Sequence, residues 1–435
     1  MKNPTLGALA FAMPLAFALS AADGPIVIKA ARMFDGKSDG IVSPGLIVVD
    51  AGKIAAVGAG AKIPAGAQTI DLGDATLLPG FMDAHTHLSD PYHADYRQGE
   101  MDLLKKSVAE RALIASEITR ITLMAGFTTV RDVGSEDLID VGLRNAINAG
   151  KIVGPRMLVS VRALGATGGH CDPQAGFIPD LFGHEAGIAD GVIDSPDAAR
   201  RAVRYNIKYG ADVIKTCATG GVLSLTDDVD TPQLTQAELD ALVDEAHALR
   251  RKTAAHAHGA TGAKRAIRAG IDSIEHGTFL DEEAMRMMKE RGTYYVPTMM
   301  AAEGLKQSLT DGYMPPPIEK KARLAMKSLH DTVAKAVQMQ LKIALGTDAA
   351  VYPHGKNAGE FEQLVSCGMK PIDALKAGTS VDAELIGVAD RTGTLENGKL
   401  ADIVAVPGNP VDDIKVTQKV IFVMKEGQIY KNDRK

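Results

Sequence analysis

Between Phe81 and Asp348, short apolar runs alternate with longer stretches in which apolar positions recur every three or four residues. The short runs predict strands over Phe81–His87, Thr128–Val133, Met157–Val161, Asp212–Thr216, Thr253–His258, Ser273–His276, Tyr294–Pro297 and Ile343–Asp348. The stretches between them read as helices. The clearest covers Gln236–Arg250, with Leu239, Leu242, Val243, Ala246 and Leu249 on one face. Thr235-Gln236-Ala237-Glu238 opens it as a capping box. Ser195-Pro196 starts another helix, with the proline where its missing N–H costs nothing. Eight strands, each followed by a helix over about 300 residues, is the count of a (β/α)8 TIM barrel of the α/β class.

Both ends of the chain follow another pattern. Ile26–Ile28, Leu46–Val49 and Ile54–Val57 are short strand candidates broken by turns, notably Asp50-Ala51-Gly52-Lys53. Ala401–Val406, Val420–Met424 and Gln428–Tyr430 mirror them at the far end. Neither piece is long enough to bury a core alone. We therefore expect residues 23–78 and 386–435 to form one composite β-sandwich domain, with the barrel of residues 79–385 inserted between them.

In such a barrel the chemistry sits where strands end. His85 and His87, two apart on one strand, point the same way at about 7 Å and can reach a common metal. Lys215 ends the fourth strand, His256 the fifth, His276 the sixth and Asp348 the eighth. Singly, each has an ordinary explanation: polar ends of strands, an ion-pair partner, a turn cap. Four imidazoles and two charges in one layer suit a metal site better than a barrel core.

Composition narrows the picture. The chain has 435 residues, 46% of them hydrophobic, enough for a large core. A net charge of −6 without a basic patch argues against nucleic acid as a partner. Three cysteines, Cys171, Cys217 and Cys367, are odd in number and far apart, so no disulfide framework is expected. Lys2 followed by the apolar run Leu6–Leu19 and small residues at Ser20 and Ala22 is the pattern of a signal peptide covering residues 1–22. That reading implies a periplasmic or secreted protein with no membrane contact after cleavage; a short N-terminal anchor is the alternative.

His85-Thr86-His87, Ile214-Lys215, Ala255-His256-Ala257-His258, Glu275-His276-Gly277 and Gly346-Thr347-Asp348 together resemble the amidohydrolase superfamily over the whole barrel. Within it the chain resembles the secreted dipeptidase and carboxypeptidase-like branch, whose members include prolidase-type and ochratoxin-hydrolysing enzymes. The resemblance implies two divalent ions, with His85, His87 and Asp348 on the more buried one and His256 and His276 on the second. Lys215, carboxylated on its amine, would bridge them, since a bridging anion offsets the repulsion of two cations. Zinc suits these ligands, which do not exclude manganese or cobalt.

The implied reaction is hydrolysis of the amide bond of an N-acyl amino acid or a dipeptide, with Asp348 as ligand and base. His170 lies where related enzymes place a histidine near the scissile carbonyl; a surface loop residue is the ordinary reading. His258 is open between substrate contact and structural use. Arg162, Lys356, Tyr92 and Tyr295 are candidates for holding a substrate carboxylate, and Tyr352–Lys356 should line the mouth. A homo-oligomer, with an octamer as the candidate ring, rests on the resemblance alone. Rival readings are a prolidase, a mononuclear deaminase or imidazolonepropionase-like enzyme that needs no bridge, and a metal-free scaffold.

Export makes a direct prediction. Residues 1–22 should be missing from mature protein recovered from its host, and mass spectrometry of an intact N-terminus would refute the signal.

Overall fold

The structure, a computed structural model, describes residues 24–434. The expected signal, residues 1–22, lies outside them. No helix among the described residues is long and apolar enough to cross a membrane.

Six strands come first: β1 (Ile26–Ala30), β2 (Arg32–Met33), β3 (Gly45–Asp50), β4 (Lys53–Val57), β5 (Gln68–Asp71) and β6 (Ala75–Pro79). Sheet order is β4-β3-β1-β5. The β3–β4 turn runs through Ala51 and Gly52, both at positive φ (47° and 77°), which matches the twist of a tight hairpin.

The alternating part then supplies β7 (Phe81–Thr86), β8 (Phe127–Asp132), β9 (Arg156–Val159), β10 (Ala163–Leu164), β11 (Val213–Cys217), β12 (Lys252–Gly259), β13 (Ser273–Phe279) and β14 (Tyr294–Val296). Strands β15 (Ile403–Pro407), β16 (Phe422–Lys425) and β17 (Gln428–Asn432) close the chain. They pair with the N-terminal strands in a second sheet, β17-β16-β15-β6-β2. Ile28, Ile47, Leu77, Ile403 and Phe422, drawn from both ends of the sequence, share one buried cluster.

The strands of the alternating part pair in parallel, β7-β8-β9 in one sheet and β10-β11-β12-β13-β14 in another. The expected strand Met157–Val161 is cut at Val161, whose φ of 69° takes it out of the β region. Asp212 N–H still reaches Val159 O at 2.7 Å across that break. The expected strand Ile343–Asp348 keeps only isolated bridges, at Ile343 to Tyr295 and at Ala349 to Thr86. There the hydroxyl of Thr347 donates to the buried carboxylate of Asp83 (2.6 Å), and its N–H is shared between that carboxylate (3.1 Å) and His85 O on β7 (3.3 Å). The segment nonetheless bonds on both sides, Ala344 N–H to Tyr295 O (2.9 Å) and Ala84 N–H to Leu345 O (2.8 Å).

The helix expected from Gln236 spans Gln236–Ala248 with the Thr235–Glu238 capping box formed. Leu249 falls past its end and is exposed. The helix Pro196–Lys208 starts as expected, with Ser195 accepting from the N–H of Ala198.

One buried ion pair ties the parallel strands to the sheet shared by both ends. Arg156, on β9, donates to Asp402 (2.8 Å) and Thr129 (2.8 Å), and Asp402 is 2% exposed. Replacing Arg156 by Ala leaves that carboxylate buried without this counter-charge, although the Thr392 hydroxyl (2.9 Å) and the Glu426 N–H (2.8 Å) still donate to it. We expect a loss of about 3–5 kcal/mol in denaturant unfolding; a loss under about 1 kcal/mol would show the pair to be dispensable.

Candidate metal centre

The six residues singled out at strand ends come together. His85, His87 and Asp348 form one cluster of ligand atoms mutually within 4.8 Å, and His256, His258 and His276 form another. Lys215 Nζ lies 3.4 Å from His85 Nε2. His258 thus joins the cluster rather than projecting beyond it. Its ring stacks on that of His276, with centroids 4.9 Å apart and planes 15° apart.

Each histidine has one ring nitrogen tied to an oxygen and one left for the centre. His85 Nδ1 meets Glu275 Oε2 (2.8 Å), and His87 Nδ1 meets Gly134 O (3.1 Å). His258 Nδ1 meets Thr278 Oγ1 (2.7 Å), His276 Nδ1 meets Thr298 Oγ1 (2.8 Å), and His256 Nε2 meets Gly220 O (3.1 Å). This arrangement fixes tautomer and ring orientation, as histidines that bind a metal require. Glu275 is itself held by Arg131, whose Nη2 donates to Oε1 at 2.8 Å. Arg131 is 1% exposed and Glu275 fully buried.

Burial shapes the charges. It is the main cause that lowers the pKa of His85 to about 4 and of His258 to about 3, and it puts His256 and His276 well below the ordinary value. These rings are therefore neutral donors at pH 7. Burial works against protonating His87 as well, yet its bond to Asp348 outweighs this and raises it to about 9. Asp348 is held far below the carboxylate range, its burial overcome by His87 and His85. A metal taken up here must displace that proton. Lys215 is lowered to about 8, chiefly by burial.

The clusters floor a cavity of about 340 Å³ whose wall is largely apolar: Val222, Leu223, Ala302, Leu305, Met326, Leu329 and Val351 among others. His170 lines it, its ring centroid 4.2 Å from that of His256. Cys171, beside His170, is disulfide-bonded to Cys217 on β11, with Cα atoms 5.9 Å apart. The sequence had suggested no disulfide framework. The fold supplies this single bond by bringing the loop after β10 against β11, and Cys367 stays free and buried.

The expected carboxylate-holding residues do not reach this cavity. Lys356 lines a separate one with Arg120, Lys419 and Lys431. Gly355, at φ 87°, packs close to Ile121 and carries the segment away after Val351. Tyr295 is buried and donates to His276 O (2.9 Å), while Tyr92 approaches Ser308 (3.5 Å). Arg162 is absent from the lining as well.

A model of the amidohydrolase family matches residues 76–430. The chain belongs to the amidohydrolase family. An ochratoxinase of Aspergillus niger is 37% identical over 380 residues, covering 82% of this chain and 75% of that protein. The crystal structure of A. niger ochratoxinase superposes with a TM-score of 0.81 at 32% identity, covering 94% of this chain and 96% of that one. That of a Xaa-Pro dipeptidase with methionine bound in its active site gives a TM-score of 0.90 at 42% identity, covering 94% and 100%.

Sequence reading gave no role to Glu275 or Arg131 and did not place His258 in the cluster. For this amidohydrolase the available signals were a glutamate directly before a strand-end histidine and an arginine inside an apolar strand. A gap in hydrophobicity marks a residue that something must pair. Glu275→Gln can accept from only one of Arg131 and His85 at its single carbonyl oxygen. We expect metal affinity to fall about 10–100-fold, measured by competition with a chromogenic chelator. Unchanged affinity would show that His85 needs no such support.

Proposed function

We propose that this amidohydrolase is a metal-dependent hydrolase of the amide bond in N-acyl amino acids or dipeptides, with ochratoxin A, giving ochratoxin alpha and phenylalanine, as a candidate substrate. The observation that carries it is the pair of three-donor clusters with Lys215 beside them, at the floor of a largely apolar cavity. The 37% identical ochratoxinase supports the substrate class. We read the parallel strands and the segment 343–349 as one (β/α)8 barrel, carrying a β domain built from both ends.

The donors fit a metal: imidazoles each steadied from behind, neutral except for His87, whose proton a metal would displace, with Asp348 ionised. His85, His87 and Asp348 would hold one ion and His256 and His276 the other, with His258 within reach of the second cluster. Zinc is the candidate. Bound there, the ions supply Lewis acidity, polarising the carbonyl and easing deprotonation of water. Lys215 is 3% exposed and its ammonium meets no acceptor oxygen within hydrogen-bond distance among the described residues. With its pKa lowered to about 8, the neutral amine is accessible for addition of carbon dioxide, which releases a proton and leaves a carbamate whose oxygens would add donors for the two ions. Asp348 takes the proton of the attacking water and passes it to the leaving amine. His170 stands at the wall beside the scissile bond.

Among the described residues that line the cavity there is no arginine and no lysine besides Lys215. Cleavage of Xaa-Pro dipeptides is a second reading, favoured by the 42% identical dipeptidase. Export through residues 1–22 and a homo-oligomer belong to the proposal on the grounds already given.

Steady-state assays of metal-loaded enzyme on N-acyl amino acids, dipeptides and ochratoxin A test it. Asp348→Asn should lower kcat by about 10²–10⁴. Lys215→Ala should lose activity and most bound metal, and one ion per wild-type chain would favour a mononuclear enzyme. Amidating the substrate carboxylate should raise KM; equal cleavage of both forms would remove the amino-acid leaving group from the reading while sparing amide hydrolysis.

A further inference from the structure

The loop 218–234 after β11 contains a small network of charge that meets no metal donor directly. Lys321, on the helix Pro316–Gln338, is 8% exposed. Its ammonium donates to Gly221 O (2.7 Å), Ser224 O (2.6 Å), Asp227 O (3.1 Å) and Asp227 Oδ1 (3.0 Å). Four acceptors for three N–H groups leave that charge fully engaged.

Asp227 then reaches His170 twice. Ser224 Oγ donates to Asp227 Oδ1 at 2.6 Å and lies 3.0 Å from His170 Nδ1. Gln233 Nε2 donates to Asp227 Oδ2 at 2.8 Å, and Gln233 Oε1 accepts the main-chain N–H of His170 at 3.0 Å. The hydroxyl of Ser224 has one proton, and the carboxylate takes it. Its lone pair therefore faces the imidazole, which must donate from Nδ1, and Nε2 is left for the cavity. Gly221 also packs close to the Nδ1–Cε1 edge of the ring, where a side-chain carbon would fall 2.2 Å from it.

We propose that Lys321 is a positioning residue for the reaction, fixing the orientation and tautomer of His170 through Asp227, Ser224 and Gln233. The proposal rests on the reading that His170 stands at the scissile amide, where Nε2 presents a lone pair that accepts the N–H of the leaving amine. An imidazole free to rotate and to change tautomer would present that lone pair in many orientations, or a donor N–H in its place. A charge that locks a carboxylate, which in turn locks ring and main chain, removes that freedom before substrate arrives. The same helix lines the cavity with Ala325, Met326 and Leu329, so Lys321 also ties the loop to the wall that the substrate touches.

Ser224→Ala, Lys321→Met, His170→Ala and the two double variants with His170→Ala test this, each checked for metal content and assayed for kcat and KM. Ser224→Ala and Lys321→Met should each lower kcat about 10–100-fold with metal content and KM near wild type. In the His170→Ala background neither should lower kcat further, since what they act through is gone. Losses that multiply in the double variants would overturn the proposal and assign Lys321 to folding alone. Wild-type kcat in Ser224→Ala would overturn it too, and this small substitution decides the matter if Lys321→Met does not fold. Wild-type activity in His170→Ala itself would remove the reading of His170 and the proposal with it, an outcome visible in that single variant.

Discussion

Glu275 has no exposure to water, yet one of its oxygens faces Arg131 and the other faces His85. Two opposite charges at this depth hold each other in place, and removing either would strand the other where nothing can solvate it. Burial pushes the glutamate toward its neutral form, but Arg131 first and then His85 bring its pKa down to about 2. The consequence reaches three strands, since Arg131 stands on β8, His85 on β7 and Glu275 on β13. Arg131 also donates to Ala84 O at 2.5 Å and to Ser273 Oγ at 3.1 Å. The orientation of a ring at the cavity floor is thus set from across the interior, by a residue that faces no ligand.

Backbone conformation tells a parallel story. His276, Thr298 and Asp348 have φ of 67°, 51° and 59°, a region that side chains of this size seldom enter. Each costs on the order of 1–3 kcal/mol and persists only where the surroundings over-determine it. Here they do: Asp348 N–H is fixed to His85 O at 2.8 Å, and the hydroxyl of Thr298 is bonded to the ring of His276. Strain and donors coincide at the same few residues.

Much of this was readable from residue order. Imidazoles and charges are costly to bury, so their recurrence at the ends of apolar runs marked His85, His87, Lys215, His256, His276 and Asp348 without any structure. Short-range chemistry was equally plain, as in the Thr235–Glu238 cap. What escaped depends on distant contacts. The cut at Val161 is made where its N–H turns to Asp140 Oδ2 (2.8 Å). Lys356 leaves the cavity because Gly355 packs on a helix from far earlier in the chain. Cys171 and Cys217 are 46 residues apart, and parity cannot distinguish one bond plus a buried thiol from three free thiols.

The sheet shared by both ends has a bearing on how the molecule is made. β6 and β15 lie side by side, Pro79 opposite Ile403 and Ala75 opposite Pro407, although the whole alternating part intervenes. Contacts so remote in sequence carry a large loop-closure cost and form late. A chain emerging from the ribosome holds β6 long before its partner exists, so that strand keeps an unpaired edge throughout synthesis. Completion of the fold therefore awaits β15–β17, and until they emerge the nascent chain stays open to partners that bind exposed strands.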